Sequence, residues 1–350
     1  MTSASVLIGV DIGCTSTAGG LVTPGGEVLS AIEAPTNLGS GTVVGTVLDI
    51  VTDLAAEALH RGFALDAVGV GVPGLVDLER GMLISSAGAH VAELHGVPLA
   101  ERITAKTGVP AFVDNDVNAL ALGEWTFGAG QGAASCVVLA IGSAVGAGII
   151  VDGRLVRGAS GYAGELGHVT IDFDGPPCHC GGRGCLGLYL GGDYLAAEAR
   201  RRIGAEPSAM LAMAGGDPDA ITAETIFAAA AAGDALARGM VDRACRALGA
   251  GLALAVNGLN PEVVVVTGGV VKSLQLMQTD IARRTAEYAL ADLLAAAKIH
   301  LVPGDKRQTL RGGAALVLYE QARAGGARGK MLASAVQTHR RSEVGDVRHA

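Results

Sequence analysis

Aromatic residues are scarce, 3% of 350 positions, and charged residues reach only 17%. So few rings leave little material for stacking nucleic-acid bases. Basic residues are also short: 34 acids face 26 Lys and Arg, and a formal charge of −8 opposes non-specific attraction to nucleic acid or an anionic membrane. The start, MTSASVLIGVDIG, has no basic leader, and Asp11 breaks its apolar run. The long uncharged stretch from Trp125 to Val151 carries several glycines with Gln131, Ser135 and Ser143, which fits strand and turn in a globular core rather than a membrane span. No membrane, no direct nucleic-acid partner and a cytoplasmic location are therefore expected. Six cysteines without a leader point to a reducing compartment, where clustered cysteines are read as metal ligands before disulfides.

Apolar residues and glycine are plentiful instead. Half the chain is apolar, enough for a sizeable core, and the 53 glycines show no collagen period, so they read as tight turns. The length suits two domains. SVLIGVDIG, AGGLV and EVLSAIEA read as three strands around a PGG turn. Val43, Val47, Ile50, Leu54 and Ala58 recur at helical spacing, with Gly62 as the stop. DAVGVGVPG and VPAFVDND then alternate as strands with the helices VPLAERITAKTG and VNALALGEWTFG. The second half opens alike: VLAIGSAVG, as VGVDIGCTS before it, runs a strand into a polar glycine turn and back, which suggests an internal duplication. A long helix from Asp234 to Leu259, the strands NPEVVVVTGG and KIHLVPG, and the helix LRGGAALVLYEQARAGG follow. The division expected is a small α/β domain over 1–119 with about 306–322, a large one over 120–305, and a disordered tail over 323–350.

Four groups of residues carry chemistry. His168 with Cys178, Cys180 and Cys185 makes a Cys3His set, the composition of a closed structural zinc site, in a loop over 168–185 whose glycines and prolines supply tight turns. His179 lies between two ligands and is expected to point outward. Asp114, Asn115, Asp116 and Asn118 end one strand and start a helix, where polar groups face the ligand crevice of an open α/β sheet. A carboxylate there can take a hydroxyl proton while an amide fixes the substrate, and one of the four can instead be a helix N-cap. Asp11, Gly13 and Thr15 sit in a turn whose backbone N–H groups suit phosphate oxygens and whose acid suits hydrated Mg²⁺. Gly142 and Ser143 hold the comparable turn of the second half, and Thr267, Gly268 and Gly269 end a later strand. Neither nucleotide-binding glycine motif, G-x-x-x-x-G-K-[ST] or G-x-G-x-x-G opening a helix, is present, and Cys14 reads as an apolar filler. Finally, Glu165 precedes His168 by three residues, so one helical turn puts both on one face.

Taken together, DIGCT, GVPGLVD, VDNDVN with LGEWTFG, GELGH, CHCGGRGCL and VVVVTGGV resemble the ROK family of repressors, open reading frames and kinases, over about residues 5–322. The resemblance implies an α/β protein of the actin-like ATPase (ribonuclease H-like) fold, two α/β domains around a central cleft. It implies ATP-dependent phosphorylation of a hexose or amino-hexose, with Asp116 the base and Asn115, Glu165 and His168 on sugar hydroxyls. Asp11, Gly13, Thr15, Gly142 and Ser143 would line the phosphates of Mg²⁺-ATP, Gly268 and Gly269 the adenosine, and His168, Cys178, Cys180 and Cys185 a structural Zn²⁺. It further implies a homo-oligomer, dimer or tetramer, and the family's pattern leaves ATP or polyphosphate open as donor.

Three departures stand in the ligand positions. The family's glutamate after GCL is Gly187, its Gly-Thr-Gly turn is Gly142-Ser143-Ala144, and His90 lies nearest the place of a sugar-binding asparagine. A polar sugar site lacking one ligand loses affinity and discrimination. The alternative to a kinase is a non-catalytic sugar sensor acting through a partner protein, since only about ten residues precede the DIG strand, too few for a winged helix-turn-helix.

Overall fold

The computed structural model describes residues 4–37, 41–85 and 89–325. The strands are β1 (Ser5–Ile12), β2 (Ser16–Val22), β3 (Val28–Pro35), β4 (Ala64–Val72), β5 (Leu75–Asp77), β6 (Met82–Ser85), β7 (Ala111–Asn115), β8 (Cys136–Ile141), β9 (Val145–Val151), β10 (Arg154–Leu155), β11 (Val263–Gly268) and β12 (Lys298–Pro303). The helices are α1 (Val43–His60), α2 (Leu99–Thr107), α3 (Asp116–Phe127), α4 (Gly187–Leu190), α5 (Gly192–Ile203), α6 (Met210–Met213), α7 (Ala223–Ala231), α8 (Ala235–Leu259), α9 (Val271–Leu274), α10 (Gln278–Tyr288), α11 (Ala291–Ala296) and α12 (Lys306–Ala324). Most of the tail expected to be disordered lies outside the described residues.

The contacts divide the chain into two units, the first holding the described residues up to Cys136, Gly148–Ala163 and the chain from Asp305, the second Val137–Ala147 and Gly164–Gly304. In the first unit the sheet runs β3-β2-β1-β4-β7. β1, β2 and β3 pair antiparallel, and β4 and β7 continue parallel to β1. The helical spacing read from the sequence is the face α1 buries: Val43, Val47, Ile50, Leu54 and Ala58, with Thr42 as N-cap accepting from Gly45 N at 3.0 Å. These side chains join Ile8, Val10, Val68 and Val70 in one core. On the opposite face Leu310, Ala314 and Val317 of α12 meet Leu7, Val22 and Ala67.

Bare backbone lets α12 lie that close. A Cβ on Gly313 would stand 2.6 Å from Gly69 O and 2.7 Å from Gly9 Cα, so any side chain there would push helix and sheet apart. The parallel strands then end level: Asp11 pairs with Gly71, and Gly71 with Asp114. Three neighbouring strands thus present their carboxyl ends in one row. The short β5–β6 hairpin, which the sequence reading did not separate, follows β4.

The second sheet runs β10-β9-β8-β11-β12. Counting only the strands of each five-stranded sheet in chain order, both sheets run third, second, first, fourth, fifth, which agrees with the duplication read from the two strand-glycine-strand segments. The Trp125–Val151 stretch is the end of α3 with β8 and β9, and no helix among the described residues is long and apolar enough to cross a membrane. α8 begins after the N-cap Asp234, whose Oδ1 accepts from Ala237 N at 2.8 Å. Its buried face carries Leu236, Met240, Ala244, Leu248, Leu252 and Val256.

Candidate functional site

At the end of β1 the chain turns through Gly13, Cys14 and Thr15 into β2. Gly13 N donates to Ser16 O at 3.0 Å, and Thr36 Oγ1 donates to Gly13 O at 2.8 Å. A Cβ on Gly13 would lie 2.7 Å from Ser16 O, so the turn is tight enough to require glycine. Burial raises the pKa of Asp11, and Lys306 at the start of α12, with Nζ 3.8 Å from Asp11 Oδ2, partly offsets that shift. Lys306 also reaches Glu33 at 3.6 Å and donates to Ser16 Oγ at 3.2 Å. The sequence reading did not pick out Lys306. Its only local signal is the helix start, where Asp305 and Gln308 form a capping box.

Two strands across, the four polar residues at the β7–α3 junction divide their tasks. Asn115 is the N-cap of α3: its Oδ1 accepts from Val117 N at 2.9 Å and Asn118 N at 3.1 Å, and its Nδ2 donates to Gly74 O at 3.1 Å. The side chain keeps a second amide hydrogen. Asp116 opens the helix half-buried, with Oδ1 accepting from Val117 N at 3.0 Å. Gly71 of β4 makes room for it, since a Cβ there would stand 3.1 Å from Asp116 Cα. Asp114 is fully enclosed and bound by Arg157. The first unit thereby gathers Asp11, Gly13, Thr15, Asn115 and Asp116 at the carboxyl edge of its sheet.

The second unit gathers a different set. Gly142, Ser143 and Ala144 form the turn from β8 to β9, with Ser143 and Ala144 exposed. The turn is tied to the start of α5: Gly192 N donates to Gly142 O at 2.8 Å and Asp193 N to Ser143 O at 3.2 Å. Gly268, at φ +115°, lies against the end of β8, where a Cβ would collide with Ile141 O, and Gly304 packs on its other side. Gly268 thus stands next to the residue that precedes Gly142, so the two glycine turns are neighbours. Gly269 is exposed.

Also in this unit, Glu165 caps the single 3₁₀ turn Leu166–His168, so the one-turn spacing holds; Glu165 is exposed and His168 half-buried. The following loop folds back on itself. Cys178 N donates to Gly182 O at 2.8 Å, Gly184 N to Pro176 O at 2.8 Å and Leu186 N to Val169 O at 2.9 Å. The donor atoms of His168, Cys178, Cys180 and Cys185 consequently lie within 4.8 Å of one another. Tetrahedral bonds of about 2.3 Å to sulfur and 2.0–2.1 Å to nitrogen demand edges of about 3.8 Å between sulfurs and about 3.5 Å from sulfur to nitrogen. Cys180 Sγ and Cys185 Sγ are 3.7 Å apart, and Cys178 Sγ and His168 Nδ1 3.6 Å. The cage fits a zinc-sized tetrahedral ion. Burial pushes the Cys185 thiol up to about 12, and the Gly182 N–H holds the exposed Cys180 thiol below its ordinary range. His179 stacks on Tyr194 and is exposed. Gly187 is buried at the start of α4, where a Cβ would stand 3.2 Å from Gly167 O, beside the His168 turn. The side chain of His90 lies outside the described residues.

Two α/β units whose five-stranded sheets share one strand order define the actin-like ATPase fold. The profile of the ROK family matches residues 7–320, and the chain belongs to that family. It is 32% identical over 317 residues to the glucokinase of Halalkalibacterium halodurans, covering 90% of this chain and 95% of the relative. A solved ROK family glucokinase from Streptomyces griseus, in complex with glucose and AMPPNP, superposes with a TM-score of 0.74 at 31% identity, covering 89% of this chain and 98% of that one. The xylose repressor of Caldicellulosiruptor bescii is 31% identical over 264 residues, 74% of this chain and 65% of the repressor. Enzymes and repressors thus both stand among its relatives.

Proposed function

We propose that the protein is a glucokinase-like sugar kinase that transfers the terminal phosphoryl group of ATP to a hexose or amino-hexose, with Asp116 as general base. One observation carries this reading: Asp116 heads α3 at the carboxyl edge of the first sheet, beside the row that ends in Asp11. Ligands of open α/β sheets bind outside that edge. Similarity to the Halalkalibacterium and Streptomyces glucokinases supports it.

In this reading the Asp116 carboxylate takes the hydroxyl proton as the sugar oxygen bonds to the γ-phosphorus and ADP leaves. Asn115 orients the sugar with its remaining amide hydrogen. Glu165 accepts from a second hydroxyl. His168 offers its Nδ1 to the cysteine cage, which leaves the Nε2 hydrogen to donate to the sugar. Gly13, Thr15, Gly142 and Ser143 would hold phosphate oxygens, Gly268 and Gly269 would face the adenosine, and Asp11 would hold hydrated Mg²⁺. Mg²⁺ would neutralise phosphate charge, and Zn²⁺ held by His168, Cys178, Cys180 and Cys185 would keep the Glu165–His168 turn in place.

A second reading, a sugar sensor without catalysis, draws on Gly187 and on the similarity to the xylose repressor. A coupled ADP-release assay over glucose, mannose, N-acetylglucosamine, N-acetylmannosamine, fructose and allose separates the two. Sugar-dependent turnover supports the kinase, whereas calorimetric sugar binding without turnover supports the sensor.

A further inference from the structure

Asp114 stands two residues before Asp116 with its side chain 2% exposed. Its Oδ2 accepts from Arg157 Nε at 2.9 Å and Nη2 at 2.6 Å, and its Oδ1 accepts from Asn115 N at 2.7 Å and Asn118 Nδ2 at 3.0 Å. The same guanidinium holds Glu320 of α12 at 2.6 Å and lies over the Tyr319 ring. Burial alone would lower the Arg157 pKa; the Asp114 and Glu320 carboxylates reverse that and hold it raised. Three segments far apart in sequence meet on one side chain: the β7–α3 junction, the loop that Ala163 N closes onto Arg157 O, and α12.

We infer that Arg157 is a positioning residue for Asp116, acting through Asp114, an assignment that rests on Asp116 being the base. The main chain entering Asp116 is pinned by the Asn115 N–H on Asp114, and the chain leaving it by the Asn115 cap on Val117 and Asn118. Arg157 fixes the carboxylate that makes the first of these bonds and orients the Asn118 amide beside it. Stability alone does not call for such a group, because an apolar pair of equal volume commonly holds a core as well as a buried ion pair. An apolar pair has no acceptor for the Asn115 N–H. The Asp116 carboxylate would then lose its fixed direction toward the hydroxyl.

The test compares wild type, Arg157→Lys, Arg157→Gln and the double variant Asp114→Leu/Arg157→Met. Glu320 keeps Arg323, at 2.8 Å, in all of them. Each is assayed by steady-state kinetics well below its melting temperature. Loss of positioning should lower kcat roughly 10- to 100-fold in Arg157→Gln and in the double variant. KM for ATP should stay within about threefold, because the phosphate-holding turns are untouched, whereas KM for hexose should rise less than kcat falls, since only the Asn115 main chain among the sugar-binding groups bonds Asp114. Arg157→Lys should recover part of kcat. Folded variants with wild-type kcat would overturn the inference alone. Failure of both the Gln and the double variant to fold would overturn it too, by making the network structural. A wild-type enzyme with no hexose turnover would fell the reading of Asp116 and this inference with it.

Discussion

Asp11 and Asp114 stand level on the parallel strands β1 and β7, with Gly71 of β4 between them. At the usual strand spacing that sets their main chains about 10 Å apart. The two acids face opposite circumstances. Asp114 is consumed by Arg157 and by its own turn, whereas Asp11 is half-buried, with Lys306 at 3.8 Å and a hydrogen bond to the Thr309 side chain. Asp114 serves the architecture, and in the proposed function Asp11 would hold hydrated Mg²⁺.

That difference predicts an exchange between stability and activity at Asp11. Its pKa is raised in the fold, chiefly by burial. Between the ordinary carboxylate pKa of 3.8 and the raised value the folded protein holds the proton that the unfolded chain releases. Stability therefore falls as pH rises through that interval, and the cost persists above it. Asp11→Asn should unfold at higher urea concentration than wild type at pH 7, and the gap should close as the pH drops toward 3.8. ATP-dependent turnover should fall by about two orders of magnitude. A variant less stable than wild type at pH 7 would contradict the account.

The cysteine cage predicts about one zinc per chain by elemental analysis, since four donors lie within 4.8 Å of one another, two of the pairs at tetrahedral edge lengths of 3.7 and 3.6 Å. Cys180→Ser should lose the metal and the cooperative melt together, because binding free energy at such a site is folding free energy. Metal-free protein melting at the holo temperature would refute this.

Gly187 permits a sharper comparison. A Cβ there presses on Gly167 O at 3.2 Å, so Gly187→Ala should cost about 1 kcal/mol in urea denaturation. Gly187→Glu pays the same crowding and adds a carboxylate where the family places a sugar ligand. Its KM for glucose should lie about tenfold below that of Gly187→Ala, as a charged hydrogen bond would give. Equal KM values in the two variants would remove the lost-ligand explanation.

Much of this was legible in the sequence because local signals agree with the fold. The apolar spacing from Val43 to Ala58, the long helix read from Asp234 to Leu259 and the strand-glycine-strand segments all reappear as elements. The cage was legible because its four ligands fall within one glycine-rich stretch, residues 168–185. α10 escaped because only Ile281 and Thr285 of its eleven residues are buried, too faint a stripe to read. The division of labour among Asp114, Asn115 and Asp116 escaped for another reason. It depends on Arg157, forty-three residues away, and on Glu320 of α12, and no spacing rule connects those positions.

The most direct test of the central claim replaces one oxygen of the Asp116 carboxylate with nitrogen. Asp116→Asn keeps the size of the side chain and its bond from Val117 N but cannot accept a hydroxyl proton. Calorimetry should find hexose bound as in wild type, while hexose-dependent ADP release falls by roughly 10²- to 10⁴-fold. Turnover at the wild-type rate in that variant would show that position 116 is not the base.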